Sequence, residues 1–122
     1  MKLDHICIRV KNLEESIIFY KQVFDCTEEK IQDFPEYGFT LVFLSFPNSE
    51  VTLELTYNHD YQEYELGNGY GHIGMKVKKI QDLYTKHQSL GIKLTEIKNF
   101  GGASDYYFVT DPDGYKIEII AE

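Results

Sequence analysis

The chain has 122 residues, 43% of them hydrophobic and 26% charged, with a formal net charge of −8. This length provides one core but not two independent ones, and no apolar run is long enough to cross a bilayer. The 12 basic residues form no cluster and are outnumbered by 20 acidic ones, which excludes a nucleic-acid surface.

The beginning of the chain, MKLDHICIRV, lacks the apolar region and cleavage site of a signal peptide. Cys7 and Cys26 are too few for a disulfide framework or a zinc ribbon. We therefore expect free thiols, a cytoplasmic location and no membrane partner.

The first predicted elements are a strand at residues 5–10 and a helix after it. Alternation along the strand separates a polar face from an apolar one: His5, Cys7 and Arg9 against Ile6, Ile8 and Val10. The helix has Asn12 as a plausible N-cap, and its predicted apolar stripe has helical spacing: Leu13, Ile17, Tyr20 and Phe24.

Three strands are predicted next, around Cys26–Ile31, Thr40–Phe46 and Val51–Tyr57. The last of them, VTLELTY, places the carboxylate of Glu54 in an otherwise apolar strand. Burying an unpaired carboxylate costs several kcal/mol, so this residue needs either solvent or a cation. Residues 58–70 then read as a polar linker.

The second half repeats the first. HIGMKVKKI at residues 72–80 aligns without gaps on HICIRVKNL at residues 5–13. A helix follows, ended by Gly91, and then three predicted strands around Lys93–Ile97, Tyr106–Thr110 and Lys116–Ala121. The final strand, YKIEIIAE, carries Glu118 in the place that Glu54 has in the first half.

The sequence therefore predicts an α+β fold of paired βαβββ modules, about 1–57 and 71–122, within a single domain. We expect a curled mixed sheet with the helices outside. Each module is too small to be secure alone, so the copies should pack together or onto those of another chain.

Strand parity places one histidine and one glutamate of each module on the polar face of its sheet: His5, Glu54, His72 and Glu118. Two imidazoles and two carboxylates suit Zn²⁺, Ni²⁺, Co²⁺ or Fe²⁺. The alternative is that all four lie on solvated sheet faces. In that case packing would not explain why both modules carry a histidine and a glutamate at equivalent positions.

Other titratable residues are interpreted without a metal role. His59 belongs to the linker and His87 to the edge of a helix stripe, while Cys7 is a small core thiol. Asp4, together with the aspartates of the DPDG turn, is interpreted as an end or turn residue.

The chain resembles the glyoxalase I (lactoylglutathione lyase) family of the vicinal oxygen chelate superfamily over essentially its full length. The matching stretches are LDHICIRVKNLEESIIFY, FPEYGFTLVFL, ELTYN, YELGNGYGHIGMKV and DPDGYKIEII. The resemblance implies His5, Glu54, His72 and Glu118 as metal ligands. It also implies a homodimer in which the first two, from one chain, meet the last two from the other.

The implied reaction is the isomerisation of the hemithioacetal of methylglyoxal and a thiol, usually glutathione, to an S-lactoyl thioester. The resemblance makes Glu118 the leading base, with Glu54 acting on the opposite face. The compact chain is similar to the nickel- or cobalt-activated members, so Ni²⁺ is favoured and Co²⁺ or Zn²⁺ is possible.

Recognition of the thiol is implied for Arg9 and Asn58, which match positions that hold the γ-glutamyl carboxylate of glutathione. Phe100 stands where many bacterial members have a lysine, and Asn68 where some have an arginine. From these departures we predict weak binding of glutathione or the use of another low-molecular-weight thiol.

Other functions remain open at this point. An acyl-thioester epimerase would use similar enolate chemistry, and a metal-free protein that sequesters small molecules would need no ligand quartet. Ring-cleaving dioxygenases and fosfomycin-modifying transferases of the same superfamily use two histidines and one glutamate. Glu54, as a fourth candidate ligand, argues against those two classes.

Overall fold

Two successive units organise the chain, and the structure, a computed structural model, describes all 122 residues. Unit 1 is Met1–Glu65 and unit 2 is Leu66–Glu122, so the boundary falls inside the predicted linker. The strands and helices are β1 (His5–Arg9), α1 (Leu13–Phe24), β2 (Thr27–Phe34), β3 (Phe39–Ser45), β4 (Thr52–Asn58), β5 (Ile73–Val77), α2 (Ile80–Ser89), β6 (Tyr106–Thr110) and β7 (Lys116–Ala121).

Each unit contains one open mixed sheet. Unit 1 has four strands in the order β1-β4-β3-β2, and unit 2 has three in the order β5-β7-β6. In both sheets the first strand pairs in parallel with the last, and the remaining pairs are antiparallel. The repeat found in the sequence is therefore a repeat of topology as well.

Helix α1 begins as predicted, because the Asn12 side chain accepts a hydrogen bond from the Glu15 amide at 2.9 Å. Its most buried face differs from the predicted stripe by about one position. Only Tyr20 of that stripe is fully buried; the others flank a face formed by Ser16, Phe19, Tyr20 and Val23. Helix α2 ends before Gly91, whose φ of +67° suits the residue after a helix.

The predicted strand at Lys93–Ile97 is wrong as a continuous strand. It is reduced to two isolated bridges, Leu94 with Val109 and Lys98 with Tyr106. Between them the Phe108 amide donates to the Thr95 hydroxyl at 3.0 Å, so a side chain replaces a backbone acceptor and interrupts the ladder. Unit 2 therefore has one regular strand fewer than unit 1.

The core of each unit lies on one face of its sheet, beneath the helix. In unit 1 this face holds Ile8, Val10, Val42, Leu44, Leu53 and Leu55, and in unit 2 Tyr107, Val109, Ile117 and Ile119. His87 is also buried there and pairs through Nδ1 with the Tyr107 hydroxyl at 2.9 Å. Neither helix is long and apolar enough to cross a membrane.

Candidate active site

The face opposite the core carries the predicted site residues in both units. In unit 1, Glu54 lies in register between Cys7 of β1 and Phe43 of β3. In unit 2, Glu118 lies between Gly74 of β5 and Phe108 of β6. Alternation therefore gives each glutamate the same position in its sheet.

In unit 2 the predicted histidine and glutamate are in direct contact. His72 Nε2 lies 3.0 Å from Glu118 Oε2, and the two side chains are 42% and 21% exposed. The edge of the His72 ring meets Phe108, with ring centroids 5.1 Å apart. A half-exposed imidazole and carboxylate at this distance can share a proton or bind one cation.

Both residues line a cavity of about 420 Å³. The other lining residues are mainly apolar or aromatic: Phe100, Ala103, Ser104, Tyr106, Phe108 and Ile120. A concave apolar site with a few convergent polar groups is typical of small-molecule binding. The cavity lies entirely within unit 2 and can accept a compact ligand beside the Glu118 carboxylate.

In unit 1, His5 is oriented by its neighbour. Its Nδ1 lies 2.7 Å from Asp4 Oδ2, and this hydrogen bond is the main cause that raises the pKa of His5, with the charge of Glu54 adding to it. Donation from Nδ1 leaves Nε2 with the lone pair that a metal needs. Asp4 directly precedes β1, as predicted, and its carboxylate also orients the His5 ring.

Glu54 is held by side chains of the same face. The Thr56 hydroxyl donates to Glu54 Oε2 at 3.2 Å, and Cys7 Sγ lies 3.2 Å from Thr56 Oγ1. Burial raises the pKa of the Cys7 thiol, and its hydrogen bond to Glu54 raises it further. Cys7 is exposed on the polar face, so its interpretation as a core thiol is wrong.

Each histidine–glutamate set belongs to one unit of the chain. No group of three or more His, Cys, Asp or Glu side chains is placed to hold a metal ion. Unit 1 supplies His5 and Glu54, and unit 2 supplies His72 and Glu118. Each set is half of the predicted donor quartet.

The predicted thiol-binding residues belong to unit 1. Arg9 follows His5 and Cys7 on the polar face of β1, opposite Thr56. Asn58 ends β4 and donates through Nδ2 to the Tyr64 hydroxyl at 3.2 Å. His59, assigned to the linker, instead contacts the Thr40 hydroxyl through Nε2 at 2.8 Å.

Phe100 belongs to a turn at the mouth of the cavity in unit 2. Its side chain is 73% exposed and meets the Tyr106 ring at 5.4 Å between centroids. The turn is braced by Asn99, which accepts from the Gly102 amide and donates to Ala103 and Asp105. The apolar side chain of Phe100 therefore lines this side of the cavity.

The two phenylalanines beside the glutamates were missed in the sequence. Phe43 meets the edge of His5 at 5.6 Å between ring centroids, as Phe108 meets His72 in unit 2. The repeat between residues 5–13 and 72–80, carried on into the later strands, was the signal that could have found them. The position of these phenylalanines beside the glutamates depends on strand register, which the sequence pattern alone does not give.

Residues 2–119 match the family described as Glyoxalase/Bleomycin resistance protein/Dioxygenase superfamily. A lactoylglutathione lyase of Escherichia coli O157:H7 is 38% identical over 128 aligned positions, covering 100% of this chain and 93% of that protein. The chain belongs to the lactoylglutathione lyase family. This result confirms the family resemblance predicted from the sequence.

Solved structures of this family have the same fold. Glyoxalase I of Leishmania major, described as trypanothione-dependent, has a TM-score of 0.86 at 34% identity and covers 100% of this chain and 87% of its own. Glyoxalase I from Zea mays has a TM-score of 0.89 at 32% identity and covers 98% of this chain. The present chain spans only 44% of the length of the maize protein.

Proposed function

We propose that this chain is a lactoylglutathione lyase that isomerises the hemithioacetal of methylglyoxal and a thiol to the S-lactoyl thioester. The observation that carries the proposal is the 420 Å³ cavity in which the Glu118 carboxylate lies beside His72. Family membership supports it across the whole chain. The proposed setting is the cytoplasm, where low-molecular-weight thiols are kept reduced.

The donor chemistry fits a divalent cation held by His5, Glu54, His72 and Glu118. The set contains two imidazoles and two carboxylates and no thiolate ligand, which is suited to Ni²⁺, Co²⁺ or Zn²⁺, with Ni²⁺ favoured. Asp4 fixes the His5 ring with its Nε2 available. When bound, such a cation would polarise the two adjacent oxygens of the substrate and stabilise negative charge on them.

Glu118 is the proposed base. Its carboxylate faces the cavity, where it would take the proton from the carbon that bears sulfur and oxygen and return it to the neighbouring carbon. In the same conversion the hydroxyl proton of the hemithioacetal passes to the oxygen of the former carbonyl group, so no atom is gained or lost overall. The Phe108 and Ile120 side chains, which line the same cavity, would help to exclude water from the reacting carbon.

The proposed assembly is a homodimer with shared sites, each formed by unit 1 of one chain and unit 2 of its partner. Support comes from the division of the donor set, because each unit holds one histidine and one glutamate and therefore only two of the four proposed ligands. The test mixes two inactive variants, His5→Ala/Glu54→Gln and His72→Ala/Glu118→Gln. A mixed dimer would contain one intact shared site.

Coexpression of the two variants with different tags would isolate that mixed dimer. We expect each variant alone to be inactive and the mixed dimer to recover up to half the wild-type activity. A purified mixed dimer without activity would contradict the shared site.

The thiol is proposed to be one that tolerates an apolar contact at Phe100. The Leishmania relative is described as trypanothione-dependent, so members of this family differ in the thiol they use. Turnover of the methylglyoxal adducts of several thiols, with Phe100→Lys as the comparison, would test this. Efficient use of glutathione at micromolar KM by the unaltered chain would contradict it.

The main experiment assays the metal-free protein with methylglyoxal and thiol, restoring Ni²⁺, Co²⁺, Zn²⁺ or Mg²⁺ one at a time. We expect no activity without metal and the highest activity with Ni²⁺. Tight binding of an apolar ligand together with no binding of any divalent ion would favour a sequestering protein instead. Metal-dependent isomerisation of an acyl thioester without hemithioacetal turnover would favour an epimerase.

A further inference from the structure

The two candidate glutamates occupy equivalent positions but have different neighbours. Strand register places Cys7 opposite Glu54 and Gly74 opposite Glu118. Two residues beyond each glutamate, on the same face, unit 1 has Thr56 where unit 2 has Ile120. Every hydrogen-bonding neighbour of Glu54 is thus replaced in unit 2 by a residue whose side chain has no donor.

The side-chain contacts of Glu54 and Glu118 differ accordingly. A hydroxyl has one proton, and since an ionised carboxylate can only accept, Thr56 donates its proton to Glu54 Oε2. The Cys7 thiol, 3.2 Å from Thr56 Oγ1, extends the same network. Glu118 contacts one polar side chain, that of His72.

Space around the two glutamates differs as well. A Cβ atom at Gly74 would lie 3.9 Å from Glu118 Oε2 and 3.6 Å from Ile120 Cδ1. A methyl group there would be in van der Waals contact with both side chains, so the glycine leaves this side of the Glu118 carboxylate without a side chain against it. At the equivalent position beside Glu54 stands Cys7, whose thiol hydrogen-bonds to that glutamate and lies 3.2 Å from Thr56 Oγ1.

We propose that Thr56, supported by Cys7, is a positioning residue that holds Glu54 as a fixed ligand, whereas Gly74 and Ile120 leave Glu118 free to move. This difference determines which glutamate carries the proton. The part of this inference that concerns proton transfer rests on the proposed function. The part that concerns the anchoring of Glu54 does not. It assigns roles to four residues that bind neither the cation nor the reacting atoms.

The first test measures metal binding to the metal-free protein, with no turnover involved. Thr56→Val keeps the shape of the side chain and removes the donor, while Thr56→Ser keeps the donor. Titration with Co²⁺, followed by its visible absorption, should show an affinity about 10-fold lower for Thr56→Val, since loss of an orienting partner typically has that effect. Thr56→Ser should restore it. Equal affinity of the Val and Ser variants would overturn the anchoring role.

The second test installs the missing hydroxyl beside the other glutamate. Ile120→Thr should anchor Glu118 as Thr56 anchors Glu54, and it is compared with Ile120→Val, which is also smaller but has no hydroxyl. We expect kcat of Ile120→Thr to fall severalfold below that of Ile120→Val, with KM and Co²⁺ affinity equal or better. Equal kcat values in the two variants would overturn the mobility of Glu118.

The two tests separate this inference from the proposed function. If the unaltered protein turns over no hemithioacetal with any metal, the proposed function fails. The Co²⁺ titration of the Thr56 variants then still supports or overturns the anchoring of Glu54. If the unaltered protein is active and the Thr56 and Ile120 pairs behave alike, the inference alone fails.

Discussion

Unit 1 and unit 2 present the same histidine, phenylalanine and glutamate on sheets in which the first and last strands pair in parallel, and the cavity beside Glu118 lies in unit 2. Unit 1 has a complete four-stranded sheet and a hydroxyl bound to its glutamate. Unit 2 has a three-stranded sheet, an irregular edge and a glutamate that lines the cavity. The comparison shows that the histidine and glutamate are repeated while the residues around them differ, and this difference is the basis of the proposed separation of metal binding from proton transfer.

We expect the largest effect from Glu118→Gln, which tests whether unit 2 supplies the base. Loss of the general base should lower kcat by about 10²- to 10⁴-fold at saturating metal, since this is the usual contribution of a positioned base. Steady-state assays with the methylglyoxal–thiol adduct would measure it. Glu96→Gln, which changes an exposed glutamate of the same unit, is the matched control. A kcat within twofold of the unaltered protein would remove Glu118 from the mechanism.

We expect a smaller effect from Asp4→Asn, which tests how Asp4 controls His5 in unit 1. Asp4→Asn removes the main cause of the raised pKa of His5. A raised pKa keeps the imidazole protonated to higher pH, and a metal needs the neutral ring, so binding is lost as pH falls through that pKa. In Asp4→Asn this loss should move to lower pH, while affinity at higher pH should fall about 10-fold because the ring is no longer oriented.

Co²⁺ titrations of the metal-free protein between about pH 5 and pH 8 would show both changes. Asp60→Asn, at an exposed position of unit 1, serves as the control. If the pH at which Co²⁺ binding is lost were the same in Asp4→Asn and in the unaltered protein, Asp4 would not control the protonation of His5.

The smallest effect concerns the irregular edge of unit 2. Thr95→Val removes the hydroxyl that accepts the Phe108 amide proton, and it should lower the free energy of unfolding by about 1 kcal/mol. Urea denaturation would measure this change against Thr27→Val, an exposed strand threonine of unit 1. A stabilising Thr95→Val would mean that a regular fourth strand forms once the hydroxyl is gone.

Features that depend on periodicity and repetition could be predicted from the sequence. The alternation of HICIRV gave the polar face of β1 because period two is a property of any strand, and Asn12 could be recognised as a cap from its place before the helix. The equivalent positions of Glu54 and Glu118 followed from the repeat. All of these are local or nearly local properties of the chain.

Features that depend on side-chain contacts between distant residues could not be predicted. The Thr95 hydroxyl competes with a backbone acceptor, and no pattern of apolar residues reveals that competition. The anchoring of Glu54 requires β1 and β4 to pair in one register, and a shift by one residue would turn Cys7 to the other face. Asp4 was missed because its partner is its immediate neighbour, a contact that strand alternation does not favour.

The most direct test of the central claim is the count of imidazole ligands on bound Ni²⁺ by X-ray absorption spectroscopy. We predict two imidazoles and otherwise oxygen donors in the unaltered protein, falling to one imidazole in His5→Gln and likewise in His72→Gln. A spectrum with no imidazole, or one that neither substitution changes, would contradict the claim that the two units jointly supply the cation site.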